Sequence, residues 1–213
     1  MTFLPDWPTL AVYSLACFVL FVTPGPDMSL FLAKTIAGGR RAGIAAMTGA
    51  SLGNVVHSLL AAFGLSALIA TSPTAFLALK VAGALYLLWL AVDAIRSGSA
   101  LNLGKREQRP PRVWPTLLLG LGVNLTNPKV VLFFVTFLPQ FVSAHDPAAA
   151  GKLLFLGLYF VGFSFPLAVV MILAADGVIA GLRARPRLMR AVDWLFAGVF
   201  GAFAVKILAT QGR

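Results

Sequence analysis

Long apolar runs recur along this chain, and they restrict it to one environment. By hydropathy they fall near residues 8–33, 43–71, 75–95, 115–141, 152–175 and 191–209. Each reaches roughly the 20 apolar residues that a helix needs to cross a bilayer. Only helices and closed barrels satisfy their own backbone hydrogen bonds in hydrocarbon, and runs without apolar–polar alternation exclude a barrel. The expectation is an all-α polytopic membrane protein with six transmembrane helices, its main partner the lipid bilayer. Composition agrees: 59% of the 213 residues are hydrophobic and 11% charged, with a mean hydropathy of +0.90, outside the range of soluble domains. The opening "MTFLPDWPTL" has no Lys or Arg before the first apolar run, so that run is expected to be retained as a helix. The single cysteine, Cys17, lies within it, offers no disulfide framework and reads as a small packing residue.

The formal net charge is +10, but the cations sit between apolar segments rather than on one accessible face, so no nucleic acid is expected. Alternate connections hold them: Lys34, Arg40 and Arg41; then Arg96, Lys105, Arg106, Arg109 and Arg112; then Arg183, Arg185, Arg187 and Arg190. The intervening "TSPT" and "SAHDPAAAG" have none. By the positive-inside rule the basic loops are cytoplasmic and both termini lie outside the cytoplasm.

"RSGSALNLGKREQRPPR", from Arg96 to Arg112, reads as a linker, polar and rich in Gly, Ser and Pro. It divides a single membrane domain into an N-terminal three-helix unit, 1–104, and a C-terminal one, 105–213. Three is odd, so a second copy of the unit enters the membrane upside down, as in the inverted repeats of secondary transporters. Such repeats build substrate sites from interrupted helices, and the first helix of each half carries an interruption here. "TPGP" breaks the first; Thr126, Asn127, Pro128 and Lys129 stand in the middle of the fourth.

Pro24 and Pro26 each remove a backbone donor, and Gly25 between them permits angles that other residues resist. A helix that restarts after Pro26 presents amides suited to a carboxylate, and the carbonyls freed before the break suit an ammonium. Two such breaks meeting at mid-membrane suit a zwitterion. Asp27 follows the first break; it either holds a substrate ammonium or carries a proton, or it simply caps the restarted helix. Lys129, deep in the fourth helix, needs compensation: Asp27 is the candidate partner, in an ion pair or a shared substrate site, and a water-lined vestibule or freed carbonyls are the alternative. Asn124 and Asn127, three apart, either line the same cavity or bond between helices.

Gly49, Gly53 and His57 recur every four residues in "GASLGNVVH", giving a helix face with two flat positions and an imidazole. Close packing against a neighbour follows. His57 serves either proton coupling or a structural hydrogen bond. Pro166, with Ser164 nearby, is expected to kink the fifth helix, and Trp7, Trp89, Trp114 and Trp194 suit the membrane interface.

The segments "TPGPDM", "GRRAGIAAMTGASLGNVVH", "LKVAGALYLLWLAVDAIRS" and "NLTNPKVVLFFVTFLPQF" together resemble the LysE/RhtB family of bacterial amino-acid exporters over nearly the whole chain. The resemblance implies a six-helix inner-membrane carrier that expels a small amino acid by antiport against protons, and it allows a homodimer. By position, Pro24, Gly25 and Pro26 match one family motif and Asn127, Pro128 and Lys129 another. Family members differ in substrate; the scarcity of acidic residues in these spans favours a neutral one, such as homoserine, threonine or a branched-chain type. No metal site or cofactor is called for. Two rivals stand beside this reading: a metal or cation exporter using the same broken helices, and a lipid-acting membrane enzyme. Lys129 at the same depth opposes the first, and the absence of any HExxH, Ser/His/Asp grouping or phosphate loop opposes the second.

Overall fold

The computed structural model describes residues 4–97, 112–143, 146–175, 177, 179 and 185–210. Most of the expected linker, with Lys105, Arg106 and Arg109, lies outside them. The described chain is helical, and prolines start most of its helices. A proline's missing N–H costs nothing in a first turn, where no intrahelical acceptor exists. Helix α1 spans Trp7–Val22, with Asp6 as N-cap accepting from Thr9 N at 3.1 Å and Pro8 in the first turn. Helix α2, Pro26–Leu60, runs through a π-helical segment, Ala61–Leu65, into α3, Ser66–Thr71. Helix α4 is Pro73–Ser97 and α5 is Val113–Leu125. Helix α6, Pro128–Leu132, continues as a π-helical segment, Phe133–Phe137, and a 3-10 turn, Leu138–Phe141. Helices α7, Ala149–Leu173, and α8, Pro186–Thr210, complete the described chain.

Both expected interruptions are present. Helix α1 stops at Val22 and α2 starts at Pro26; α5 stops at Leu125 and α6 starts at Pro128, with a bend of 52° between them. The connection expected after residue 33 is not a loop. Helical backbone continues from Pro26 to Leu60 with one residue out of register, Gly39, at φ 77° and ψ 178°. A residue with a Cβ resists that φ, so a single glycine reverses the chain where several loop residues were expected. Arg40, next along, donates from Nη2 to Leu173 O at 3.2 Å, tying the turn to the end of α7.

Among the described residues two helical stretches are long and apolar enough to cross a membrane, Pro26–Leu68, counted through the Gly39 break, and Ala149–Leu173; the bent α5–α6 pair makes a third if it counts as one span. Trp7, Trp89, Trp114 and Trp194 are all exposed, as are many Leu, Val and Phe side chains, which suits a lipid-facing surface. Helix α7 passes through Pro166 as one helix, and Ser164 Oγ donates to Val161 O rather than to Gly162 O, the carbonyl that the proline leaves without a donor.

The packing that places the site is α2 on α5. A Cβ on Gly49 would strike Leu117 O, and one on Gly120 would strike Ala46 O. The two helices therefore approach backbone to backbone through reciprocal glycines, the route to close packing where lipid removes the hydrophobic drive. A Cβ on Gly53 would strike the Asn124 side chain. The glycine stripe does face a neighbour, and that neighbour is α5. Two apolar cores lie on either side of the breaks. One gathers Tyr13, Phe133, Phe134, Phe137, Leu153, Leu156 and Phe200; the other gathers Phe31, Leu32, Met47, Ala168, Met171 and Ile172. Cys17 is buried in the first, as a small packing residue.

Candidate functional site

Where the two cores meet, a cleft of about 570 Å³, its open mouth included, runs beside the first break. Asp27 and Lys129 both line it, together with Ser51, Asn54 and Ser164. The remaining wall is apolar, with Phe31, Met47, Phe160 and Met171 prominent.

The prolines explain how the charges are held. In an α-helix the carbonyl of residue i accepts from the N–H of residue i+4. Pro24 leaves Leu20 O without its donor, and Lys129 Nζ supplies one at 3.0 Å while also donating to Thr23 O at 2.6 Å. Lys129 is not bonded to Asp27; it takes the freed carbonyls of α1, the alternative to a direct ion pair. Gly25 has φ −170° and ψ −175°, extended backbone open to any residue. Its value here is space: a Cβ would lie 3.1 Å from Lys129 Nζ and 3.3 Å from Cε. The expectation of special backbone angles belongs to Gly39, not to Gly25.

Asp27 stands in the first turn of α2, where a negative charge is favourable, but the N-cap itself is Gly25. Asp27 Oδ2 accepts from Asn124 Nδ2 at 2.7 Å, across to the last turn of α5. The same Nδ2 group donates to Asn54 Oδ1 at 3.1 Å, so both amide protons of Asn124 are spent. Asp27 Oδ1, Asn124 Oδ1 and Asn127 Nδ2 are buried and make no hydrogen bond of normal length, although the Asn127 amide lies close enough to the Asp27 carboxylate to act on it. Buried polar atoms left unpaired are costly and uncommon.

Asn124 and Asn127 do not share a helix face, because α5 ends between them. Asn124 is fully buried behind the cleft, and Asn127 is the N-cap of α6, its Oδ1 accepting from Lys129 N at 3.1 Å. Pro128 deprives Asn124 O of a donor as Pro24 deprives Leu20 O. Asn127 N bonds that carbonyl at 3.1 Å and His57 Nε2 approaches it at 3.5 Å, the long limit of a hydrogen bond. His57 is buried and its ring stacks on Phe134 at 5.4 Å. It stands behind Asn124, outside the cleft wall.

The two breaks thus lock crosswise. The residue after Pro128 reaches the last turn of α1, and the residue after Pro26 reaches the last turn of α5. Sequence reasoning missed Ser51 and Asn54, and read Ser164 only beside the Pro166 kink. Asn54 lies one residue beyond Gly53, on a segment already read as a packing face, and its polarity was the available signal. Among the described residues no group of three His, Cys, Asp or Glu is placed to hold a metal ion.

An open-mouthed cleft between broken helices, in a chain with apolar helices long enough to cross a bilayer, has the form of a membrane transport protein. The chain belongs to the LysE type translocator family, whose sequence profile matches residues 18–211. It is 32% identical to a leucine efflux protein of Klebsiella pneumoniae subsp. pneumoniae, with 92% of each chain covered. It is 30% identical to a homoserine/homoserine lactone efflux protein of Salmonella typhimurium, over 88% of this chain and 90% of that one. No solved structure matches it.

Proposed function

We propose that the protein exports a small neutral amino acid across the inner membrane in exchange for protons, by alternating access at the broken helices. The observation that carries this is the pairing of opposite charges in one cleft: Asp27 with an unpartnered oxygen, and Lys129 with a third ammonium proton beyond its two carbonyl bonds. A zwitterion fits between them, ammonium to Asp27 and carboxylate to Lys129. Phe31, Met47, Phe160 and Met171 leave an apolar space for its side chain, which favours an aliphatic over a cationic substrate. The efflux activities named for the two relatives support amino-acid export. Substrate contact falls to Asp27 and Lys129, held by Pro24, Gly25, Pro26, Asn124, Asn127 and Pro128; proton coupling falls to Asp27, with His57 behind it. The crosswise locks, each from the residue after a proline to the opposite half, support six spans in two inverted three-helix units joined near residues 104 and 105. In that topology the Gly39 turn is cytoplasmic and both termini are outside. The cleft then occupies the cytoplasmic half, while the packed aromatics around Tyr13 and Phe137 close the outer half.

Purified protein in liposomes, loaded with unlabelled amino acids and tested for counterflow of labelled leucine, threonine and homoserine with and without a pH gradient, tests the reading. Counterflow of a neutral amino acid that a pH gradient drives uphill is expected. Movement of a divalent cation with no amino-acid movement would instead establish the cation exporter.

A further inference from the structure

Lys129 is a lysine that the fold holds without a carboxylate. Its ammonium rests on two main-chain oxygens, Leu20 O at 3.0 Å and Thr23 O at 2.6 Å. Each acceptor has a local cause. Pro24 removes the donor that Leu20 O would take in a continuous helix. Thr23, the C-cap of α1, has extended backbone at φ −70° and ψ 120°, which takes its carbonyl out of the helical array. The absence of a Cβ at residue 25 leaves Nζ uncrowded, since a Cβ would lie 3.1 Å from it. Carbonyl oxygens at the C-terminal end of a half-helix, where the helix dipole is negative, are the ligands on which discontinuous membrane helices hold monovalent cations. Asp27 lines the same cleft and adds a negative charge nearby, though not a bond to the ammonium.

The geometry points to the Leu20–Thr23 carbonyl pair as a monovalent-cation seat that the chain fills with its own Lys129 ammonium, a tethered cation where other carriers take a free one. The lysine closes α6 onto the end of α1 across the halves, and its side chain is long enough to do so only because both breaks lie side by side. Removing the ammonium while leaving the backbone in place uncovers the two carbonyls, with the Asp27 carboxylate on the same cleft beyond ion-pair distance. Such a set suits a small hard cation, sodium or a primary alkylammonium, and excludes a quaternary one by size. The seat deepens the reading of the cleft as a transport site, but its binding test requires no amino acid to move.

The test is a thermal-unfolding titration of purified Lys129→Ala in detergent with ethylammonium chloride, with sodium chloride, and with choline chloride at equal ionic strength. The expected result is a saturable rise of about 5 °C in Tm with ethylammonium or sodium at roughly 100-fold over Kd. Choline should not raise it, and the wild type, its seat already filled, should respond to none of the three. No shift in Lys129→Ala, or an equal shift in the wild type, overturns the proposal. Lys129→Met keeps the side-chain volume if the alanine variant aggregates. Aggregation of both that ethylammonium prevents when present from solubilisation supports the seat; aggregation regardless of it counts against. A Tm response in Lys129→Ala leaves the seat standing whatever the wild type transports, whereas absence of amino-acid counterflow in the wild type counts against the transport reading alone, so the two failures are distinguishable.

Discussion

Asn124 offers the sharpest test of how the site is held, because one amide group serves two partners of different charge. Replacing it with leucine, of similar volume, removes the 2.7 Å bond to Asp27 Oδ2 and the 3.1 Å bond to Asn54 Oδ1. A neutral bond between membrane helices is worth only about 0.6 kcal/mol on average, since groups that lose one partner find another while still in the bilayer. That figure suits the Asn54 bond. The Asp27 bond differs, because its acceptor is a carboxylate whose other oxygen already lacks a partner; a hydrogen bond to a charged group contributes about 1.5–3 kcal/mol. The sum for Asn124→Leu is about 3 kcal/mol, against about 0.6 kcal/mol for Asn54→Leu. At about 2–4 °C per kcal/mol for a chain of this size, Asn124→Leu should lower Tm by about 6 °C or more, and Asn54→Leu by about 1–2 °C. Thermal unfolding of the two purified variants beside the wild type measures both. Equal losses in the two, or a loss under about 2 °C for Asn124→Leu, would refute the argument that the carboxylate is what makes Asn124 costly to remove.

Three further expectations use the same structure. Gly120→Val drives a side chain into Ala46 O and should cost about 3 kcal/mol or more, whereas Gly122→Val, where a Cβ meets nothing within 4 Å, should be nearly silent; thermal unfolding of the pair separates a helix-contact effect from a propensity effect. Asp27→Asn keeps an acceptor for Asn124 and should lower Tm by less than Asn124→Leu does, but lose uptake driven by a pH gradient; full activity would make Asp27 a structural acceptor only. At the start of α7, Lys152 Nζ donates to Asp146 Oδ2 and Ala148 N donates to Oδ1, which together hold the Asp146 carboxyl below its ordinary value of 3.8. A depressed carboxylate contributes stability above the unfolded value and loses it as pH falls through the folded one. The small Tm deficit of Asp146→Asn should therefore be present at pH 6 and close below pH 3.8; a deficit that persists in acid would mean the bonds to Lys152 and Ala148 are not its source.

Legibility followed the range of the interaction. Pro24, Pro26 and Pro128 announce helix breaks because a missing N–H is a property of the residue itself, and both breaks stand where the prolines put them. The stripe of Gly49, Gly53 and His57 announced a close contact, since flat positions at helical spacing invite one. Its partner, α5, was not readable, because a stripe says how near a neighbour comes and nothing about which neighbour it is. The Gly39 reversal went unread among charged residues that resembled a loop: φ is not written in the letter G, and many glycines sit in ordinary helix. Asp27 and Lys129 were natural partners by charge. Each turned elsewhere because a nearer acceptor or donor had been created by a proline or an asparagine on the opposite half.

What residue chemistry alone settles here is local and compositional: an apolar chain must enter a bilayer as helices, and prolines within it must interrupt them. Which freed carbonyl meets which ammonium depends on a contact between positions 109 residues apart, Leu20 and Lys129. Only packing can make that choice, because backbone groups stripped of their helical donors are satisfied by whatever side chain the approach of α2 and α5 delivers to them.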